Sequence, residues 1–142
     1  MIQRLLELLK SVRDRRAGAL PQALRGTPPV RRLKTYQAET GVTWSYYYEG
    51  YRIETEPDAA QCYVFTMLGG NRAPQPLTIV VPDSAMEAIR AQTGASAGSR
   101  ETYAMAKMHL FSVLDRERQP AADSRFALDS EAALAIWEDL DL

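Results

Sequence analysis

Apolar and polar residues repeat with two different periods along this chain, and the periods mark out its elements. Over the first turns Ile2, Leu5, Leu6, Leu9 and Val12 fall on one helical side, with Arg4, Lys10 and Arg13 towards the other. That spacing predicts a basic amphipathic helix over residues 1–17, with Arg16 at its end. Gly18, Pro21 and the run Gly26-Thr27-Pro28-Pro29 cannot continue it, because proline lacks a backbone donor and fixes φ, so 18–30 reads as a Pro/Gly linker.

From residue 31 the period changes to two. The runs RRLKTYQAE and VTWSYYYEGYRIE flank Thr40-Gly41, a hairpin turn in which glycine supplies the positive φ that such turns need. In the second run Val42, Trp44, Tyr46 and Tyr48 share one face, opposite Thr43, Ser45 and Tyr47. The runs QCYVFTML and LTIVVP follow, separated by GGNRAPQP. Four strand-like runs with no helical stretch between them predict an antiparallel meander over residues 31–82. RFAL, residues 125–128, is a candidate for a short fifth strand.

The helical period returns at Asp83 or Ser84, where Ser84 and Glu87 stand at capping-box spacing, and Gly94 is a natural stop. The glycine-rich GASAGS, residues 94–99, lacks the preceding strand and the Gly-Lys-Ser/Thr ending of a phosphate loop, so it reads as a joint. Ser99–Arg118 is the central helix. Ser99 is placed to cap it, and Glu101 sits where the dipole favours a negative charge. Tyr103, Ala106, Leu110, Val113 and Leu114 form one stripe. The opposite face carries Glu101, Met105, Met108, Ser112, Asp115 and Arg116, with His109 beside them. Half of that face is apolar, so contact on both sides is expected. A last helix, 130–140, puts Ala133, Ile136, Trp137 and Leu140 on one face, and Glu138, Asp139 and Asp141 at its end.

The expectation is an α+β fold: a four-stranded antiparallel sheet (a meander) packed on the central helix, with flanking helices, preceded by the amphipathic helix. Residues 31–142 form the single domain. With 142 residues the chain is long enough to bury a sizeable core.

Charge changes the picture. The net charge is −1, yet residues 1–34 carry nine Lys/Arg against Glu7 and Asp14, a net of +7, and the remaining 108 residues come to −8. The acidic end of the last helix lies where the dipole disfavours negative charge, which suggests contact with the basic arm, within or between chains. The single cysteine, Cys62, excludes an internal disulfide and a cysteine-rich zinc site, and its strand-like setting predicts a buried inert thiol. No apolar stretch is long enough to span a bilayer, and charges interrupt every apolar run near the N-terminus, so a cytoplasmic location is expected.

Candidate chemistry is sparse. One histidine and one cysteine do not supply a metal site, and a Cys62–His109 dyad lacks an orienting partner. No catalytic residue, cofactor or metal is predicted. Lys107 lies on the side of the central helix expected to be buried, which suggests a lysine with its stem on the core and its head in water.

Three functional readings follow. The first is a non-enzymatic interaction module or accessory subunit, docking on another protein or on a second copy of itself. Its contact residues would be Leu5, Leu9, Val12, Arg13 and Arg16 on the arm, with Met105, Met108 and Trp137 on the domain. The second is a binder of single-stranded nucleic acid, through Trp44, Tyr46, Tyr47, Tyr48, Tyr51 and Tyr63 and the basic arm, against which the acidic body counts. The third is a small enzyme using Lys107 as a pKa-lowered amine. Lying on a membrane surface is disfavoured by the short helix without an anchoring aromatic.

Overall fold

The computed structural model of the chain describes residues 23–69 and 72–140. The expected helix over 1–17, with Leu5, Leu9, Val12, Arg13 and Arg16, lies outside the described residues.

Five strands make one sheet in the order β1 (Lys34–Gln37), β2 (Thr43–Glu54), β3 (Ala60–Leu68), β4 (Gln75–Pro82) and β5 (Ser124–Ala127). Strands β1 to β4 pair antiparallel, as the succession of period-two runs predicts. The four-stranded antiparallel expectation is corrected by β5, which pairs with β4 in parallel from Leu77↔Ser124 to Val80↔Ala127. The sheet is therefore mixed. Its cause is the connection: helices α1 (Asp83–Thr93) and α2 (Ser99–Arg116) intervene, and a helical crossover returns the chain to the end of the sheet at which β4 began. Helix α3 (Ser130–Leu140) closes the chain and packs on α1 and α2.

Local chemistry accounts for most of the boundaries. The β1–β2 turn is closed by Ala38 N–H donating to Val42 O at 2.9 Å and Gly41 N–H to Ala38 O at 3.0 Å, with Gly41 at φ +94°. Helix α1 stops at Gly94, whose N–H donates to Arg90 O at 2.8 Å. The Ser84–Glu87 capping box does not form. The helix starts directly from Pro82 and Asp83, and Glu87 pairs with Arg90 at 2.6 Å instead. Gly98, not Ser99, caps α2: its N–H donates to Glu101 Oε1 at 2.7 Å. The same helix ends at Arg116, two residues short of the expected Arg118.

The core lies between the sheet and the helices, around Tyr46, Tyr63, Phe65, Met67, Leu77, Ile79, Ile89, Leu110 and Leu114. The buried stripe of α2 is Thr102, Met105, Ala106, His109, Leu110, Val113 and Leu114. It is broader than the expected stripe and turned towards Met105 and His109. The half-apolar face is covered as well, so that Met105 and His109 are buried, and α2 also contacts α3.

One irregularity escapes period-two reading. Tyr48 pairs with Phe65 and Gly50 with Val64, so Glu49 is an extra residue in β2. The bulge switches the alternation and brings Tyr51 onto the face of Tyr48, where it stacks on Tyr63 at 5.3 Å. Gly50 is at φ +125°, and a Cβ there would stand 2.7 Å from both Arg25 O and Thr27 Oγ1. Only glycine satisfies both conditions. Through this gap the described part of the expected linker runs against β2 as a strap: Arg25 and Tyr51 exchange backbone hydrogen bonds of 2.7 and 2.9 Å, and Thr27 Oγ1 donates to Glu49 O at 2.8 Å.

Candidate functional site

The strap creates a groove that neither it nor the domain possesses alone. Extended chain places alternate side chains on opposite sides, and residues 31–36 do this. Arg31 turns to the sheet face away from the helices, its guanidinium 4.0 Å from the centre of the Tyr47 ring. Arg32 and Lys34 turn the other way, into a cavity of about 340 Å³ lined with Pro28, Pro29, Val30, Tyr48 and Tyr103. Tyr36 continues that side and stacks on Phe111 of α2 with ring centres 4.0 Å apart. The prolines hold the strap extended, and the tyrosines give the cavity an aromatic wall.

Lys107 joins this cluster from α2. Its Nζ lies 5.8 Å from the Phe111 ring centre and 6.0 Å from that of Tyr46, near the faces that attract a cation. Desolvation lowers its pKa first, and the adjacent Lys34 ammonium lowers it further. The carboxylate on the same flank of α2 is already engaged. Asp115 accepts from Tyr36 Oη at 2.8 Å and from Glu39 N–H at 2.9 Å. Desolvation and that bond to Asp115 push the Tyr36 phenol up to about 12. Among the described residues, Arg32, Lys34 and Lys107 form no ion pair. The groove is a cationic rim over an apolar, aromatic wall.

The sheet face away from the helices is arranged differently. Arg31 meets Glu49 at 2.5 Å, and Thr66 Oγ1 donates to the same carboxylate. Arg125 reaches over the sheet from β5 to grip Glu54 with two bonds of 2.8 Å, passing 3.9 Å from Cys62 Sγ. The guanidinium holds the Glu54 carboxyl below its ordinary range. Burial, then the Glu54 charge, pushes the Cys62 thiol up to about 11, so the thiolate that would react is disfavoured at neutral pH.

The sequence-predicted contact residues do not converge. Met105 is fully buried in the protein's own core and presents nothing outward. Met108 is 38% exposed. Trp137 packs half-buried against the core. The candidate aromatic platform is mostly interior: Trp44, Tyr46 and Tyr63 are each 2% exposed, and Arg31 covers the ring of Tyr47. His109 is buried; burial, then Arg116, lowers its pKa. No group of three His, Cys, Asp or Glu side chains among the described residues could hold a metal ion. No helix among them is long and apolar enough to cross a membrane.

Sequence reasoning missed Arg32, Lys34, Tyr48 and Tyr103 as a unit. A signal was present in Arg32-x-Lys34-x-Tyr36, three residues on one side of an extended run, opposite Tyr103, Lys107 and Phe111 at helical spacing. Comparison with known proteins found no matching family model, no matching curated protein and no matching solved structure.

Proposed function

We propose that this protein is a non-catalytic interaction module whose groove receives an acidic, partly apolar segment of a partner protein. The observation that carries the reading is that Arg32 and Lys34 line one groove, with Lys107 beside Lys34, and that none of the three has an acidic partner among the described residues. Like charges held together in a partly desolvated place cost free energy, and an incoming carboxylate relieves that cost. Pro28, Pro29 and Val30 offer apolar surface between the cations, and Val30 is 62% exposed. The basic residues of the arm precede the strap directly and carry the same sign. Complementary charge would speed encounter and select partners more than it would tighten the complex.

The test is fluorescence anisotropy with a labelled peptide of alternating Glu and Leu, beside a Lys/Leu peptide and a thymidine oligonucleotide. The reading expects the acidic peptide to bind, and to lose about tenfold or more in affinity on Lys34→Glu, since each reversed charge acts at close range. Equal binding by wild type and Lys34→Glu would contradict it. Preference for the oligonucleotide would favour nucleic-acid binding instead.

A second reading has one observation in its favour. A lysine desolvated beside another cation is the setting in which an amine becomes a nucleophile at neutral pH, and Lys107 is so placed.

A further inference from the structure

Among the described residues the cations of the groove meet no acid, and the C-terminal end of α3 carries acids that meet no cation. Helix α3 has no basic residue in its last turn, where Glu138 and Asp139 stand exposed. Asp141 follows in the sequence. Negative side chains at a helix C-terminus meet the partial negative charge of the unpaired carbonyls, so this end is unfavourable by itself. The groove is unfavourable for the opposite reason, because Lys34 and Lys107 repel each other there.

Within one copy the groove and the start of α3 lie at opposite edges of the sheet. Tyr103, Lys107 and Phe111 face the strap, β1 and β2 from one flank of α2, whereas α3 follows β5 at the far edge of the sheet and packs chiefly on α1.

We infer that the acidic segment received by the groove is the C-terminal end of α3 from a second copy of this chain, so that copies join head to tail. The inference rests on the proposed function of the groove and names its occupant. Glu138 and Asp139 would set two carboxylates against Arg32 and Lys34, with Lys107 beside Lys34. Such a contact uses two different surfaces, so each copy keeps one free acidic end and one free groove until a ring closes or a filament grows. Being electrostatic and partly exposed, it weakens with salt.

Sedimentation of the full chain at rising concentration, in low and in high salt, tests this. The expected result is a mass that grows with concentration in low salt and returns to that of one chain in high salt. The double variant Lys34→Glu/Lys107→Glu and the double variant Glu138→Lys/Asp139→Lys should each stay monomeric in low salt. Mixed together they should associate, because each supplies the charge that the other now needs. The α3 substitutions are at exposed positions, so that variant remains informative even if the groove variant fails to fold. A wild-type chain that stays monomeric while its groove still binds the Glu/Leu peptide overturns the second-copy occupant and leaves the groove reading intact. Failure of both overturns both. Association that survives reversal of the groove but not of α3 sends the acidic end to another basic surface, and also overturns the inference.

Discussion

Two sets of cations stand on opposite sides of the same sheet, and among the described residues only one of them is neutralised. On the face away from the helices, Arg31 holds Glu49 at 2.5 Å and Arg125 holds Glu54 at 2.8 Å, with Arg52 at 3.7 Å from the same carboxylate. In the groove, Arg32, Lys34 and Lys107 find no carboxylate among the described residues, although Asp115 lies on the same flank of α2. Arg31 and Arg32 are adjacent in sequence and fall on opposite sides because the strap is extended. The matched side completes the fold. The unmatched side leaves attraction unused, and unused attraction in a defined cavity is what a binding surface requires.

The largest expected effect comes from removing the gap that holds the strap. Gly50→Ala must place a Cβ 2.7 Å from Arg25 O in a backbone conformation that disfavours it, at a cost of about 1–3 kcal/mol. Chemical denaturation should show the lower stability, and amide exchange at Arg25 and Tyr51 should accelerate. Peptide binding should weaken as well, since the groove exists only while the strap is docked. A variant equally stable and equally protected would show that the strap does not depend on this contact.

The next effect concerns the matched side. Arg125→Ala removes a two-bond grip on Glu54, worth about 1 kcal/mol at this partly exposed position. It also uncovers Cys62, so thiol labelling should speed up while groove binding stays unchanged. Loss of peptide binding in this variant would break the separation of the two sides.

A pH dependence lies in the core between them. His109 has its folded pKa lowered below 6.5 by burial. Above pH 6.5 the imidazole is neutral in both states and stability is complete. As pH falls from there through the lowered value, the unfolded chain takes up the proton first, so stability declines. His109→Gln should flatten that acid limb in thermal unfolding followed across pH.

The smallest effect has the opposite sign. Lys107→Met removes one of two repelling ammonium groups and a desolvation cost, so the fold should gain up to about 1 kcal/mol, the ceiling for a solvent-screened pair. Binding of the acidic peptide should fall in the same variant. Gain of stability with loss of binding distinguishes a cation kept for a partner from one kept for the fold.

The residues explain how far the sequence could be read. Alternation at Val42–Tyr48 and the turn at Thr40-Gly41 are local properties, and they place β1 to β4 without knowledge of anything distant. The parallel partner of β4 was not legible, because RFAL carries no mark of direction; two intervening helices decide it. Met105 and Met108 are only about 60° apart around α2, and only the tertiary packing tells which is covered. The groove was hidden because Arg32 and Lys34 counted as part of a basic arm, whereas Gly50 and the bulge at Glu49 fix the strap that aims them. Charge totals describe a tail; only register shows a site.

The most direct measurement is an NMR titration of the Lys107 side-chain amine in the full chain, with and without the Glu/Leu peptide. The expected result is a pKa below the ordinary lysine value of 10.5 in the free protein and a rise when the peptide binds, because added carboxylates favour the charged form. A Lys107 that titrates at its ordinary value, and does so whether or not the peptide is present, would contradict the claim that this groove awaits an acidic partner.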